Sequence, residues 1–111
     1  MTRSILWTLA AALSLSAWAD NLGVGDWRGS GGFIFRISTS SGPFSLVLLD
    51  TKGERKSFPA VWEKPGEKFT WTDAQHNKHV ACLEKNHKPI RFRDVGEAYP
   101  DSPGYWYFVT R

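Results

Sequence analysis

Asp73, His76, His79 and Cys82 stand at intervals of three in the stretch DAQHNKHVAC. Each carries a side chain that binds zinc, and structural zinc sites use short Cys and His spacings of this kind. Whether four such ligands can meet depends on the backbone beneath them. On a helix, a series spaced by three stays roughly on one side. On strands, residues three apart point to opposite faces. The flanking segments alternate as strands do, KFTWTD (Lys68–Asp73) on one side and HVACLE (His79–Glu84) on the other. With a hairpin tip at Asn77-Lys78, His79 lies opposite His76 and Cys82 opposite Asp73. Asp73 and Cys82 then share the core face with Phe69 and Trp71, and His76 and His79 face solvent. The quartet divides two and two, so the expectation is a solvated hairpin end, with no metal or cofactor assigned. His76 and His79 form a metal site only if another loop supplies a third ligand. His87 falls in the next turn, at the opposite end of a meander. Cys82 reads as a small core residue beside Trp71. Its alternatives are an intermolecular disulfide or a reactive thiol, and the latter needs a nearby cation or base.

A second candidate surface is AYPDSPGYWY (Ala98–Tyr107). Alternation puts Trp106 and Phe108 on one face of the last strand and Tyr105, Tyr107 and Val109 on the other. With the first pair inside, Tyr105 and Tyr107 form an outward aromatic pair next to Tyr99. Exposed tyrosines suit protein interfaces and can stack on sugars. A meander brings this loop to the same end as Thr51–Glu54 and His76–His79. That end gathers Tyr99, Asp101, Lys52, Glu54, His76 and His79. Tyr99, Asp101, Tyr105, Tyr107, His76 and His79 are the candidate binding residues.

The elements that must position these side chains are short strands. GFIFRIS (Gly32–Ser38), FSLVLLD (Phe44–Asp50), RKSFPAVWE (Arg55–Glu63), KFTWTD, HVACLE, IRFRDV (Ile90–Val95) and YWYFVTR (Tyr105–Arg111) are separated by Gly-, Pro- and Asn-rich turns. Pro59 marks an edge or a bulge, because it cannot donate a ladder hydrogen bond. In KPGE, Pro65 and Gly66 hold the two central places of a type II turn. No window carries a helical apolar period with caps. The pattern predicts an all-β domain, a small antiparallel up-and-down barrel of seven or eight short strands, with a two-sheet sandwich as the alternative. Closure favours the barrel because it removes exposed edges. Phe33, Phe35, Phe69, Trp71 and Phe92 would fill most of its interior, which moves function to rim and loops.

Gly25-Asp26-Trp27 resembles the Gly-x-Trp pattern that opens the first strand of lipocalin-type barrels. In those barrels the Trp closes one end and a basic side chain from the last strand packs over it, a place that Arg111 would take here. The resemblance covers three residues and an arginine. Independently of it, Trp27 reads as a core plug. Gly31–Phe35, GGFIF, resembles the aromatic strand of cold-shock RNA binders, but charge and compartment argue against nucleic acid.

Compartment is read from the N-terminus. A basic start with Arg3, the apolar run ILWTLAAALSL (Ile5–Leu15) and Ala17-Trp18-Ala19 together read as a secretory signal, residues 1–19, cleaved before Asp20. The apolar run is too short to span a bilayer, which needs about 20 residues. One domain, residues 20–111, remains: 111 less 19 leaves 92 residues, exported to the periplasm or secreted. Without Arg3 the 14 basic residues become 13, against 11 acidic, for a formal charge of +2. So small an excess does not suit a nucleic-acid binder. Arg91, Arg93, Lys85 and Lys88 read as a solvated strand face. The lone Cys82 cannot close an internal disulfide, so stability must come from the aromatic core, a ligand or oligomerisation.

No nucleophile-elbow serine and no phosphate-cradling glycine loop is present. The expectation is a non-enzymatic binding module, most simply one that binds another protein as an inhibitor or accessory factor in the cell envelope. A small-ligand or glycan carrier is the alternative, and a metal-dependent or thiol enzyme the third reading. An interior cavity above a few hundred Å³ would favour the carrier, and a filled core with an exposed aromatic patch the protein binder.

Overall fold

A computed structural model describes residues 23–109 of the chain. The expected signal segment, residues 1–19, its expected cleavage site, and Thr110 and Arg111 lie outside the described residues. Eight strands follow in order: β1 (Gly25–Arg28), β2 (Ile34–Ile37), β3 (Pro43–Leu49), β4 (Arg55–Lys64), β5 (Lys68–Thr72), β6 (Lys78–Glu84), β7 (Arg91–Gly96) and β8 (Gly104–Phe108). Each pairs antiparallel with the next, and β1 pairs with β8, so the sheet closes into an up-and-down barrel. That closure excludes the two-sheet sandwich. A 3-10 turn at Ser30–Gly32 is the one helical element among the described residues. None of their helices is long and apolar enough to cross a membrane.

The barrel follows from alternation. One residue in two points inward, and the inward set includes Trp27, Ile37, Leu46, Ala60, Trp62, Phe69, Trp71, Ala81, Leu83, Phe92 and Trp106, all buried. Trp27 has the buried place expected of it, and its indole N–H donates to the Gly23 carbonyl at 3.0 Å. Phe69 sits at the centre, with ring centroids of Trp62, Phe44, Phe92 and Trp106 at 4.8, 5.2, 5.5 and 6.1 Å. Most of these contacts are edge-to-face or tilted, as the aromatic quadrupole favours. Small residues make room for the rings: Ala81 stands opposite Phe69 and Ala60 opposite Trp71.

Two departures from a regular barrel matter for function. Among the described residues the β1–β8 ladder has two registered pairs, Trp27 with Phe108 and Arg28 with Tyr107, and the Val109 N–H donates to the Asp26 carbonyl at 2.9 Å. Above them β1 turns away, and Gly104–Trp106 of β8 lack a registered β1 partner. The second departure is at β4, which pairs with β3 from Arg55 onward but with β5 only from Ala60. Pro59 lies in the one-sided part, where a missing N–H costs no ladder bond.

The loops at residues 29–33, 50–54, 73–77 and 97–103 lie at one end of the barrel, here the upper end. Those at 38–42, 65–67 and 85–90 lie at the lower end. Gly66 supplies the left-handed position of the KPGE turn, with φ 69°.

Candidate functional site

The β5–β6 hairpin does not turn at Asn77-Lys78. Thr72 pairs with Lys78, Trp71 with His79, Phe69 with Ala81 and Lys68 with Cys82. Five residues, 73–77, form the loop. One carboxylate oxygen of Asp73 accepts from the N–H groups of both Gln75 and Asn77 at 2.9 Å, an Asx-type closure. His76 takes the left-handed conformation, with φ 65°. A loop with an odd number of residues reverses the parity expected from a two-residue tip. This corrects two expectations. His79 faces the interior with Trp71, and Cys82 faces outward, half-buried, opposite Lys68 and Arg93. Asp73 keeps its inward place, and His76 is exposed on the loop.

Turning inward, His79 enters a polar cluster on top of the aromatic core. Its Nε2 lies 2.8 Å from Asp73 Oδ2 and its Nδ1 3.2 Å from Asp94 Oδ2. Its ring stacks on Trp71 at 4.0 Å. The Trp71 indole N–H donates to Asp94 Oδ1 at 2.9 Å, so Asp94 is held from two sides. Gly96 stands opposite His79 in the β6–β7 ladder, and a Cβ there would come within 2.9 Å of the imidazole Cε1. Only glycine leaves room for the ring in this position.

The two carboxylates meet the imidazole from opposite edges, so the cluster sets two acidic groups against one basic ring. The His79 hydrogen bond, helped by the two backbone N–H groups, holds the Asp73 carboxyl below its ordinary range. Burial pushes Asp94 up, against the lowering effect of its bond from Trp71. With both nitrogens engaged, His79 has none free to share a metal with His76. Among the described residues no three His, Cys, Asp or Glu side chains are arranged to hold a metal ion.

The remaining candidates lie outside the barrel. Tyr99, 67% exposed, and Asp101 sit on the long upper loop. Tyr105 and Tyr107 line the outer wall of β8. The Arg91 guanidinium packs 3.9 Å over the Tyr105 ring, donates to the Tyr107 hydroxyl at 3.2 Å and bonds Glu84 at 2.5 Å. With Arg28, Gly29, Ser30, Pro103 and Gly104, the two tyrosines line a groove of about 410 Å³ along the β1–β8 seam. A second space of about 280 Å³ opens at the mouth of the barrel, between Phe33, Phe35, Leu48, Asp94, Tyr105 and Trp106. The two spaces share Gly29, Ser30, Gly104 and Tyr105.

No protein-family model, curated protein or solved structure matches this chain.

Sequence reasoning missed Asp94, Gly96, Gly104 and Arg28. A signal for three of them was present in the alternation. Asp94 and Gly96 share parity with Phe92, and Gly104 with Trp106. A carboxylate and two glycines on core-facing positions are out of place unless something uses them.

Proposed function

We infer that this is an exported, non-enzymatic binding module that engages another protein through its upper loops and the adjoining outer wall of β8. The observation that carries this reading is the groove lined by Arg28, Pro103, Tyr105 and Tyr107. It joins exposed tyrosine, a cationic side chain and proline on one surface, a composition suited to interface cores. Packing supports it: aromatic side chains fill the barrel interior and leave its free space at the mouth and outside. Tyr99 on the adjoining loop and Phe33, 40% exposed at the rim, extend the apolar surface.

The test is co-purification from the native cell envelope with mass spectrometry, comparing wild type with Arg28→Ala/Tyr107→Ala. The expected result is a partner recovered with the wild type and lost with the variant. Recovery of the same partners with both would remove the groove from the interface.

The mouth cavity favours a second reading, binding of a small ligand or glycan. It stands at the upper end of the barrel, above a closed aromatic core, with a fixed carboxylate in its wall.

A further inference from the structure

Four indole N–H donors lie in the described residues, and three have acceptors. Trp27 donates to the Gly23 carbonyl, Trp62 to the Thr39 carbonyl and Trp71 to Asp94. Trp106, only 3% exposed, has no acceptor among the described residues. An N–H sealed away without a partner is costly, and no buried side-chain nitrogen or oxygen among them is left in that state. The Trp106 donor is therefore not sealed in; it borders the mouth cavity that this side chain lines.

Gly104 shows what else borders that space. It shares inward parity with Trp106 and stands opposite Asp94 in the β7–β8 ladder. From the point where a Cβ on Gly104 would sit, Asp94 Oδ2 and Trp106 Nε1 are each 4.0 Å away. The missing side chain leaves a cradle bounded by one fixed acceptor and one fixed donor. A cation would satisfy Asp94 and leave the indole without an acceptor. An anion would satisfy the indole but set a second acceptor against the Asp94 oxygen. A hydroxyl does both, accepting from one and donating to the other. Phe33, Phe35, Tyr105 and Leu48 make most of the remaining wall, with Ser30 beside them, and the C–H face of a ring packs on such an apolar, largely aromatic surface. The volume of about 280 Å³ falls just under the range of about 300–1,000 Å³ for drug-sized ligands, which limits the occupant to one small ring.

We propose that the mouth cavity is a binding subsite for a single neutral sugar unit, one of whose hydroxyls accepts from Trp106 Nε1–H and donates to Asp94 Oδ2. Trp71 and His79 act as positioning residues, fixing the carboxylate before the ligand arrives. The proposal deepens the small-ligand reading and does not depend on the protein groove.

The test is a titration of the folded protein with a panel of neutral monosaccharides and their methyl glycosides, followed by the NMR signal of the Trp106 indole N–H. At least one sugar should shift that signal saturably. Gly104→Ala should weaken the same binding at least tenfold. A Cβ there meets nothing closer than 3.9 Å, so this variant fills the cradle without disturbing the fold. Trp106→Phe should act in the same direction. The proposal is overturned if no sugar in the panel moves the signal, or if Gly104→Ala binds as wild type does. A simple amine that binds in place of the sugars would also overturn it, by showing a cation site. Arg28→Ala/Tyr107→Ala should keep sugar binding while losing the protein partner, which separates failure of this proposal from failure of the groove.

Discussion

At the scale of single residues, the two carboxylates around His79 respond oppositely to acid. The folded pKa of Asp73 lies below its unfolded value, ordinarily about 3.9. Its contribution to stability is therefore complete above that unfolded value and is lost as pH falls through the lower, folded one. Asp94 is raised, so it costs stability at neutral pH and gives this back as pH falls through its folded value. Asn at position 73 keeps an oxygen for the Gln75 and Asn77 N–H groups but loses the anionic partner of His79. Asp73→Asn should thus lower the urea midpoint at pH 7, and the gap from wild type should close below about pH 4. A gap that persists unchanged into acid would show that charge is not what Asp73 contributes. Gly96→Ala should also disturb the cluster, because its Cβ would displace the imidazole. The Trp71 indole N–H signal, which reports the bond to Asp94, should shift in that variant.

At the scale of elements, the β5–β6 loop decides what the hairpin presents. The alternation of KFTWTD and HVACLE made both strands legible, along with the inward places of Phe69, Trp71 and Asp73. Loop length was not legible, because it rests on the Asx closure at Asp73 and on a histidine in the left-handed region. A five-residue loop in place of a two-residue tip exchanges the faces of His79 and Cys82, since an odd change in register moves every side chain of a strand to the other face. The strand order and closure were readable from regular turns and core-facing aromatics. The mouth cavity was not, because Asp94, Gly104 and Trp106 come from two strands and meet only through the β7–β8 register. The loop carries its own prediction. A left-handed conformation costs a non-glycine residue about 1–2 kcal/mol, against about 0.5–1 kcal/mol for the extra chain entropy of glycine. His76→Gly should therefore raise stability by about 0.5–1 kcal/mol, measured by urea denaturation. A loss of stability would mean that the His76 side chain makes a contact worth more than the strain.

At the scale of the whole molecule, aromatic packing does what disulfides do in many small domains. Phe69→Ala removes the ring on which Phe44, Trp62, Phe92 and Trp106 converge. It should cost about 3–5 kcal/mol, a large share of the roughly 5–15 kcal/mol that holds a typical domain folded. Loss of cooperative thermal unfolding, followed by near-ultraviolet circular dichroism, is the expected outcome. A melting temperature unchanged from wild type would show that the centre can repack around the hole. Cys82 offers a complementary check. It is half-buried on the outer wall, so a thiol reagent should label it in the folded protein. Protection until unfolding would place it in the core after all.

Among the described residues, the seam between β1 and β8 has two registered pairs and one further bond, from the Val109 N–H to the Asp26 carbonyl, which makes it the lightest-fastened place in this barrel. Every other neighbouring pair of strands is fastened by three or more registered partners. Transient opening should therefore begin at the seam, and the amides of Arg28 and Tyr107 should exchange with deuterium before those of the β3–β4 ladder. The groove and the mouth cavity both border that seam. An occupant bridging them would act as a clasp, slowing exchange there while leaving the far wall unchanged.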